Sequence, residues 1–157
     1  MKKLIYLFAM VIVFSACSSN VDANKKMAGD FLNLALSPKP LDAQVLTHPD
    51  FKFVFMGNTE ISNIAYDRDA YFDYWLPEVV GKLLPTGITL TTTDMIADDE
   101  GVAVIMEGDA EGINGEYDNK YVFVYKFKDG KIFSIHEYNS DLLVATRLYK
   151  NKLVPSD

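Results

Sequence analysis

Tyr117-Asp-Asn-Lys-Tyr-Val-Phe-Val-Tyr-Lys-Phe-Lys128, followed by Asp129-Gly130 and Lys131-Ile-Phe-Ser-Ile-His-Glu-Tyr138, decides the fold. β-branched and aromatic residues alternate with polar ones on both sides of a turn-forming dipeptide, which predicts two antiparallel strands. The odd positions of the first strand, Asn119, Tyr121, Phe123, Tyr125 and Phe127, form a mostly aromatic face, and that face is predicted to point inward. On the second strand Phe133, Ile135 and Glu137 share a face opposite Ser134, His136 and Tyr138. A two-residue turn would pair odd with even positions. A three-residue loop, Lys128-Asp129-Gly130 with a left-handed Gly130 at a bulge, pairs Tyr121 with Glu137 and Phe123 with Ile135. The second arrangement sets Phe133 and Ile135 against aromatic partners and aims Glu137 inward, and a slip of one residue would reverse it.

Upstream, Ile88 to Ala97 and Gly101 to Glu111 read as two more strands, separated by Asp98-Asp99-Glu100-Gly101, and Gly112-Ile-Asn-Gly115 turns the chain toward Tyr117. Before them the period changes to that of a helix. Phe72, Trp75, Leu76, Val79, Val80, Leu83 and Leu84 keep helical spacing, with Asp67 or Asp69 available as N-cap and Pro77 expected to kink the pattern. Phe51 to Met56 reads as an aromatic strand, and a brief helix is expected over Leu41 to Thr47. Met27, Phe31, Leu34 and Ala35 make the apolar stripe of a first helix that ends before Ser37-Pro-Lys-Pro40. Helices first and a run of strands after them is an α+β pattern, with the helices on one face of a curved antiparallel sheet.

One face assignment stays open. Ala103, Ile105, Glu107, Asp109 and Glu111 lie on one side of their strand, and Val102, Val104 and Met106 on the other, so both sides are apolar near Gly101.

Gly87-Ile-Thr-Leu, Ile96-Ala-Asp-Asp-Glu-Gly-Val-Ala-Val, Asn114-Gly-Glu-Tyr-Asp-Asn-Lys-Tyr121, Phe127-Lys-Asp-Gly-Lys-Ile132 and His136-Glu-Tyr138 occur in the order and spacing of a known family. Over about residues 25 to 148 the chain resembles the SnoaL-like, ketosteroid-isomerase-related branch of the nuclear transport factor 2-like superfamily. The resemblance implies a cone: a strongly curved sheet wrapped around helices, enclosing one apolar pocket, often in a homodimer. It also implies that Glu107 and Asp109 line that pocket beside Glu137. In limonene epoxide hydrolase, a distant relative, an acid pair at the positions of Asp109 and Glu137 works with an arginine where this chain has Glu107. The positions that hold the reacting water there match Phe53 and Phe55, so epoxide hydrolysis is not expected here.

A buried carboxylate beside a tyrosine is suited to general acid-base work next to a carbonyl, which makes Glu137, Asp109 and Tyr121 the candidate catalytic set. Glu107, Asn119, Trp75, Tyr71, Phe53, Phe55 and Tyr125 are the candidate ligand contacts. The leading reading is a protein that binds a small, largely apolar molecule. An isomerase, cyclase or hydratase is the alternative, and a structural or partner-binding module with a self-filled cavity is the third. No cofactor is expected. Two histidines and one cysteine do not gather a metal site by spacing, and no phosphate-cradling glycine loop or nucleophile motif occurs.

The start of the chain bears on location. Met1-Lys-Lys3, the uncharged run Leu4 to Phe14 and Ser15-Ala-Cys17 resemble a bacterial lipoprotein signal. The apolar run is too short for a spanning helix, which needs about 20 residues. Residues 1–16 are read as the signal, 17–24 as the lipidated Cys17 and a polar tether, and 25–157 as one domain. Loss of residues 1–16 leaves 141 of the 157 residues, removes Lys2 and Lys3, and takes the net charge from −7 to −9. So acidic a domain repels nucleic acid. Lipid on Cys17 is then its hold on a membrane, and Ser18 by resemblance points to the outer membrane, facing the periplasm.

Overall fold

The computed structural model describes residues 20–155. Cys17 and the signal reading lie outside the described residues. The strands are Thr47–Met56 (β1), Ala65–Asp67 (β2), Ile88–Ala97 (β3), Val102–Gly112 (β4), Gly115–Glu116 (β5), Lys120–Lys128 (β6) and Lys131–Tyr138 (β7). They form one curled sheet in the order β2-β1-β7-β6-β4-β3, with β5 folded back on β4. Antiparallel pairing prevails, as expected, but β1 runs parallel to β7, with Phe53 opposite Ile135 and Phe55 opposite Glu137. That pair joins strands distant in the chain, and local hairpin signals do not predict it.

The β6–β7 hairpin keeps the predicted parity by another route. Asp129 and Gly130, with φ of 51° and 69°, make a two-residue turn of left-handed residues, the conformation whose twist matches a hairpin. Lys128 pairs with Lys131 and Phe127 with Ile132, and one extra residue, Phe133, is then inserted before Ser134 pairs with Lys126. Beyond this bulge odd faces odd, so Phe123 pairs with Glu137 and Tyr125 with Ile135, two residues from the expected register. Ile132 takes the core place expected of Phe133, which packs edge-on against the His48 ring at 5.7 Å. A second irregularity, at Thr93 in β3, adds to the sheet's bend.

Helices fill the concave side. The first, α1, is helical across described residues 20–35, so residues 20–24, read from sequence as tether, already belong to it. Its Ala28, Phe31, Leu32 and Ala35 are buried. A 3-10 helix spans Pro40–Leu46 and leads into β1. The second long helix, α2, consists of Arg68–Ala70, Tyr71–Val80 and Gly81–Leu83. Asp67 caps it, its carboxylate accepting from the Ala70 N–H at 2.9 Å.

Pro77 does not break α2. The segment Tyr71–Val80 takes wide π turns, in which the Gly81 N–H reaches the Leu76 carbonyl five residues back. The wider turn accommodates a residue that lacks a donor and would crowd the carbonyl four residues before it. It also sets Tyr71, Phe72, Trp75, Leu76 and Val79 toward the core. There Phe53 meets both Tyr71 and Trp75 at ring separations of 4.9 Å, contacts that stabilise by about 0.5–1.5 kcal/mol each beyond the area they bury. A last helix, α3, comprises Asp141–Leu143 and Val144–Leu148, and seats Val144 and Leu148 under the sheet's end. Among the described residues no helix is long and apolar enough to cross a membrane.

Candidate functional site

β7 lies between β1 and β6, so Glu137 stands on the concave face with Phe55 on one side and Phe123 on the other. Its surroundings are aromatic and aliphatic, and among the described residues its one side-chain hydrogen bond comes from Asn139, whose Nδ2 donates to Oε1 at 3.0 Å. Part of the residue's surface is still reachable, which its place in a cavity wall explains, while the carboxyl itself is enclosed by protein. Burial raises its pKa from the ordinary 4.5 to about 8, against a smaller opposing effect of the Asn139 bond. At neutral pH the group is therefore mainly a carboxylic acid, able to donate one hydrogen bond and accept others.

Four phenols surround it. Tyr71 on α2, Tyr117 before β6, and Tyr121 and Tyr125 on β6 are all buried. Burial raises each of their pKa values, Tyr117 to about 12, and negative charge on Glu137 adds to the rise in all four. The influence is reciprocal, so no second negative charge is tolerated nearby. The Tyr117 hydroxyl accepts from Asn119 Nδ2 at 3.1 Å, whereas the Tyr125 hydroxyl is buried without a hydrogen-bond partner among the described residues. The cluster is neutral and rich in donors.

A cavity of about 80 Å³ opens onto this cluster. Leu32 and Ala35 of α1, Trp75 and Val79 of α2, Leu90 of β3 and Leu148 of α3 contribute to its apolar wall, and Tyr71, Tyr117, Tyr121 and Glu137 supply its oxygen atoms. A water needs roughly 10–15 Å³ measured this way, so the space holds several waters or a small organic group.

Of the residues predicted for the site, the structure brings Glu137, Tyr121, Tyr71, Trp75 and Phe55 to the cavity wall. Phe53 and Tyr125 lie behind that wall, in the core. Asn119 is buried behind the wall: its Nδ2 donates to the Tyr117 hydroxyl at 3.1 Å, and its Oδ1 accepts from the N–H groups of Lys120 at 2.8 Å and Ser140 at 3.2 Å. It clamps β6 to the start of α3, and it does not line the cavity.

Glu107 and Asp109 require correction. β4 pairs with β6 so that Val104 faces Phe123 and Met106 faces Tyr121, which puts the even residues of β4 on the concave face. Glu107 and Asp109 are exposed on the convex face, where Glu107 pairs with Lys120 at 3.0 Å. Gly108 occupies the inward place between them. A Cβ there would stand 2.6 Å from Tyr121 Cε2, so the tyrosine ring fills the space that a side chain would need.

Tyr117 and Asn139 are the polar residues that the sequence reading missed. Tyr117 sits two positions from Asn119 within the strand expected from the sequence, and the same alternation would have found it, whereas Asn139 follows the end of β7, where alternation no longer applies. His48 is buried at the far end of β1. Its Nδ1 accepts from the Asp50 N–H at 3.0 Å and its Nε2 lies 3.5 Å from Asp129, tying β1 to the β6–β7 turn.

The curled sheet and the helices that it wraps recur in solved structures. A phenazine biosynthesis-related protein from Pseudomonas aeruginosa superposes with a TM-score of 0.74 at 16% identity, over 92% of this chain and 95% of that one. Bal32a, from a soil-derived mobile gene cassette, gives 0.70 at 18%, over 82% and 96%. An NTF2-like protein from Burkholderia xenovorans LB400 gives 0.64 at 17%, over 82% and 97%. At such identities the likeness is one of fold. No curated protein matches the chain. The model of the SnoaL-like domain matches residues 31–135, from the buried Phe31 of α1 to Ile135 of β7, and on that match over most of its length the chain belongs to the SnoaL-like domain family.

Proposed function

We propose that the protein binds a small, largely apolar and uncharged molecule that carries a carbonyl or hydroxyl oxygen. The observation that supports this most is Glu137, an enclosed carboxylic acid at the wall of an unfilled apolar cavity. A neutral oxygen accepts from the acid or from a tyrosine at little cost, whereas a carboxylate ligand would bring a charge into a neutral, enclosed site that disfavours one. The open cavity favours this reading over a module filled by its own side chains.

The test is a thermal melt at pH 6.5 with matched pairs of ketones and carboxylates on the same hydrocarbon skeletons. Ketones should raise Tm and the carboxylates should not, and Glu137→Leu should abolish the ketone effect. Equal stabilisation by both members of each pair would defeat the proposal.

The near-neutral pKa of Glu137 favours a second reading, general acid-base catalysis beside a carbonyl, as in an isomerase or cyclase. It rests on Glu137 and Tyr121 without Asp109. Loss of deuterium from the α-carbon of a bound ketone, fast with the parent and absent in Glu137→Gln, separates turnover from binding.

Anchoring through lipid on Cys17 at the periplasmic side of the outer membrane is part of the same proposal, supported by the sequence alone. Cys17→Ser should release the protein from the membrane fraction, since stable anchoring takes more than one acyl chain and that variant would have none. Retention equal to the parent would refute it.

A further inference from the structure

Next to the cavity lies a second hollow of about 260 Å³, between the end of α1, the turn at Ser37 and Pro40, the Pro77 side of α2 and Gly87-Ile88. Ala35, Leu36, Leu76, Val80, Leu84 and Ile88 line both spaces. Among the described residues no charged side chain lines the groove. Leu36, at this junction, is 39% exposed, an apolar side chain left at the surface.

We propose that cavity and groove are one elongated site for a neutral amphiphile, whose carbonyl or hydroxyl head meets Glu137 while a linear aliphatic tail passes between Leu36, Leu76 and Ile88 into the groove. This rests on the reading of the cavity as the place of a neutral head. The cavity's 80 Å³ holds only about six waters at roughly 10–15 Å³ each, room for a small ligand group. A ligand confined to it buries little apolar area, and area is what such walls recognise. The groove offers the remainder without a charge to desolvate. Six aliphatic side chains stand between the two hollows, and in the proposed complex they part for a single chain more readily than for a fused ring system. α2 forms one side of this junction within its π-turned segment, which supplies Leu76 and Val80 to both spaces and Pro77 to the groove.

The probe is the series of 2-alkanones from six to twelve carbons, with binding to the full chain measured by calorimetry at pH 6.5. In the parent, affinity should keep rising past the length that fills the cavity, by up to about four-fold per methylene, the equivalent of about 0.8 kcal/mol per buried CH₂. Gly81→Leu obstructs the groove alone. Gly81 has an ordinary helical conformation, and its added Cβ would meet only the Leu76 carbonyl oxygen, at 3.4 Å. In that variant the short ketones should bind as in the parent and the long ones should gain nothing. Ser37→Phe, on the opposite wall, should truncate the series in the same way. A parent series that levels off at about six or seven carbons would overturn the tail site while leaving the head cavity intact. Long ketones that bind both variants as tightly as the parent would also overturn it. Failure of every ketone, short ones included, would remove the cavity reading and the tail site together.

Discussion

Glu137 and Glu107 are the same residue type on strands separated only by β6, and the fold gives them opposite fates. Glu137 stands on the concave face between Phe55 and Phe123, held by one bond from Asn139. Glu107 stands on the convex face, its side chain 58% exposed, paired to Lys120. Removal from water favours the protonated form of the first, whereas the side chain of the second faces solvent. In this sheet, which carboxylate has chemistry depends on parity: one residue's shift along β4 would exchange the faces. Each substitution below presses on one side of that contrast.

The largest effect should come from the concave neighbour of Glu137. Phe123 is 6% exposed, stacks on Tyr121 at 5.7 Å and lines the cavity. Phe123→Ala removes a ring from a wall that already has a void beside it, and should destabilise by about 3–5 kcal/mol. Val124, the next residue, faces the other side and is part-exposed, so Val124→Thr should cost under about 1 kcal/mol. Urea melts that reverse this ranking would mean that the two faces have been exchanged.

Next in size is the pH dependence that Glu137 brings. Its folded-state pKa of about 8 lies above the ordinary 4.5, so between those values the folded protein keeps a proton that the unfolded chain releases. Stability from this source is fully present below about pH 4.5 and declines as pH rises toward 8, by at most about 1.4 kcal/mol per pH unit. Glu137→Gln keeps the shape and removes the titration. The parent-minus-variant difference in stability should therefore fall steadily from pH 5 to 8, and denaturant melts at four pH values measure it. A difference that stays level would show that the carboxyl is solvated and that the contrast with Glu107 is one of position only.

The elements that local chemistry specifies are legible in the sequence itself. Alternation marks the aromatic face of β6, Asp67 is available to start α2, and the chain reversals at Asp98–Gly101 and Asp129-Gly130 fall at turn residues. What is not legible there depends on how distant segments meet. β4 carries apolar residues on both faces near Gly101, so its parity is decided by pairing with β6, and resemblance to relatives points Glu107 and Asp109 to the wrong side. Gly108 is the overlooked signal, a residue without a side chain between two carboxylates. The parallel β1–β7 pair joins segments about 80 residues apart in the chain, and no local period encodes it. The π turns around Pro77 answer a conflict between a proline and a buried stripe, which a reading in terms of ideal helices renders as a kink. The site is legible only in part for the same reason: Glu137 and Tyr121 follow from β6–β7 parity, while Asn119 sits behind the wall, bonded to Tyr117, Lys120 and Ser140.

The smallest expected effect is the sharpest check on the convex side. Glu107 and Lys120 approach to 3.0 Å with side chains 58% and 84% exposed, and holding two long side chains in one geometry offsets most of what the Coulomb attraction contributes in water. Glu107→Gln should change stability by less than about 0.5 kcal/mol, and the change should shrink further in 0.5 M salt as the pair is screened. The same variant should leave ketone binding untouched, because no part of Glu107 reaches the cavity wall. Lys120→Gln should behave alike, and the double variant should differ from the sum of the singles by only a few tenths of a kcal/mol, the coupling expected of an exposed pair. A loss of binding in Glu107→Gln, or a coupling above about 1 kcal/mol in the cycle, is not compatible with an exposed pair. Either result would place Glu107 on the concave face after all and dissolve the distinction between the two glutamates.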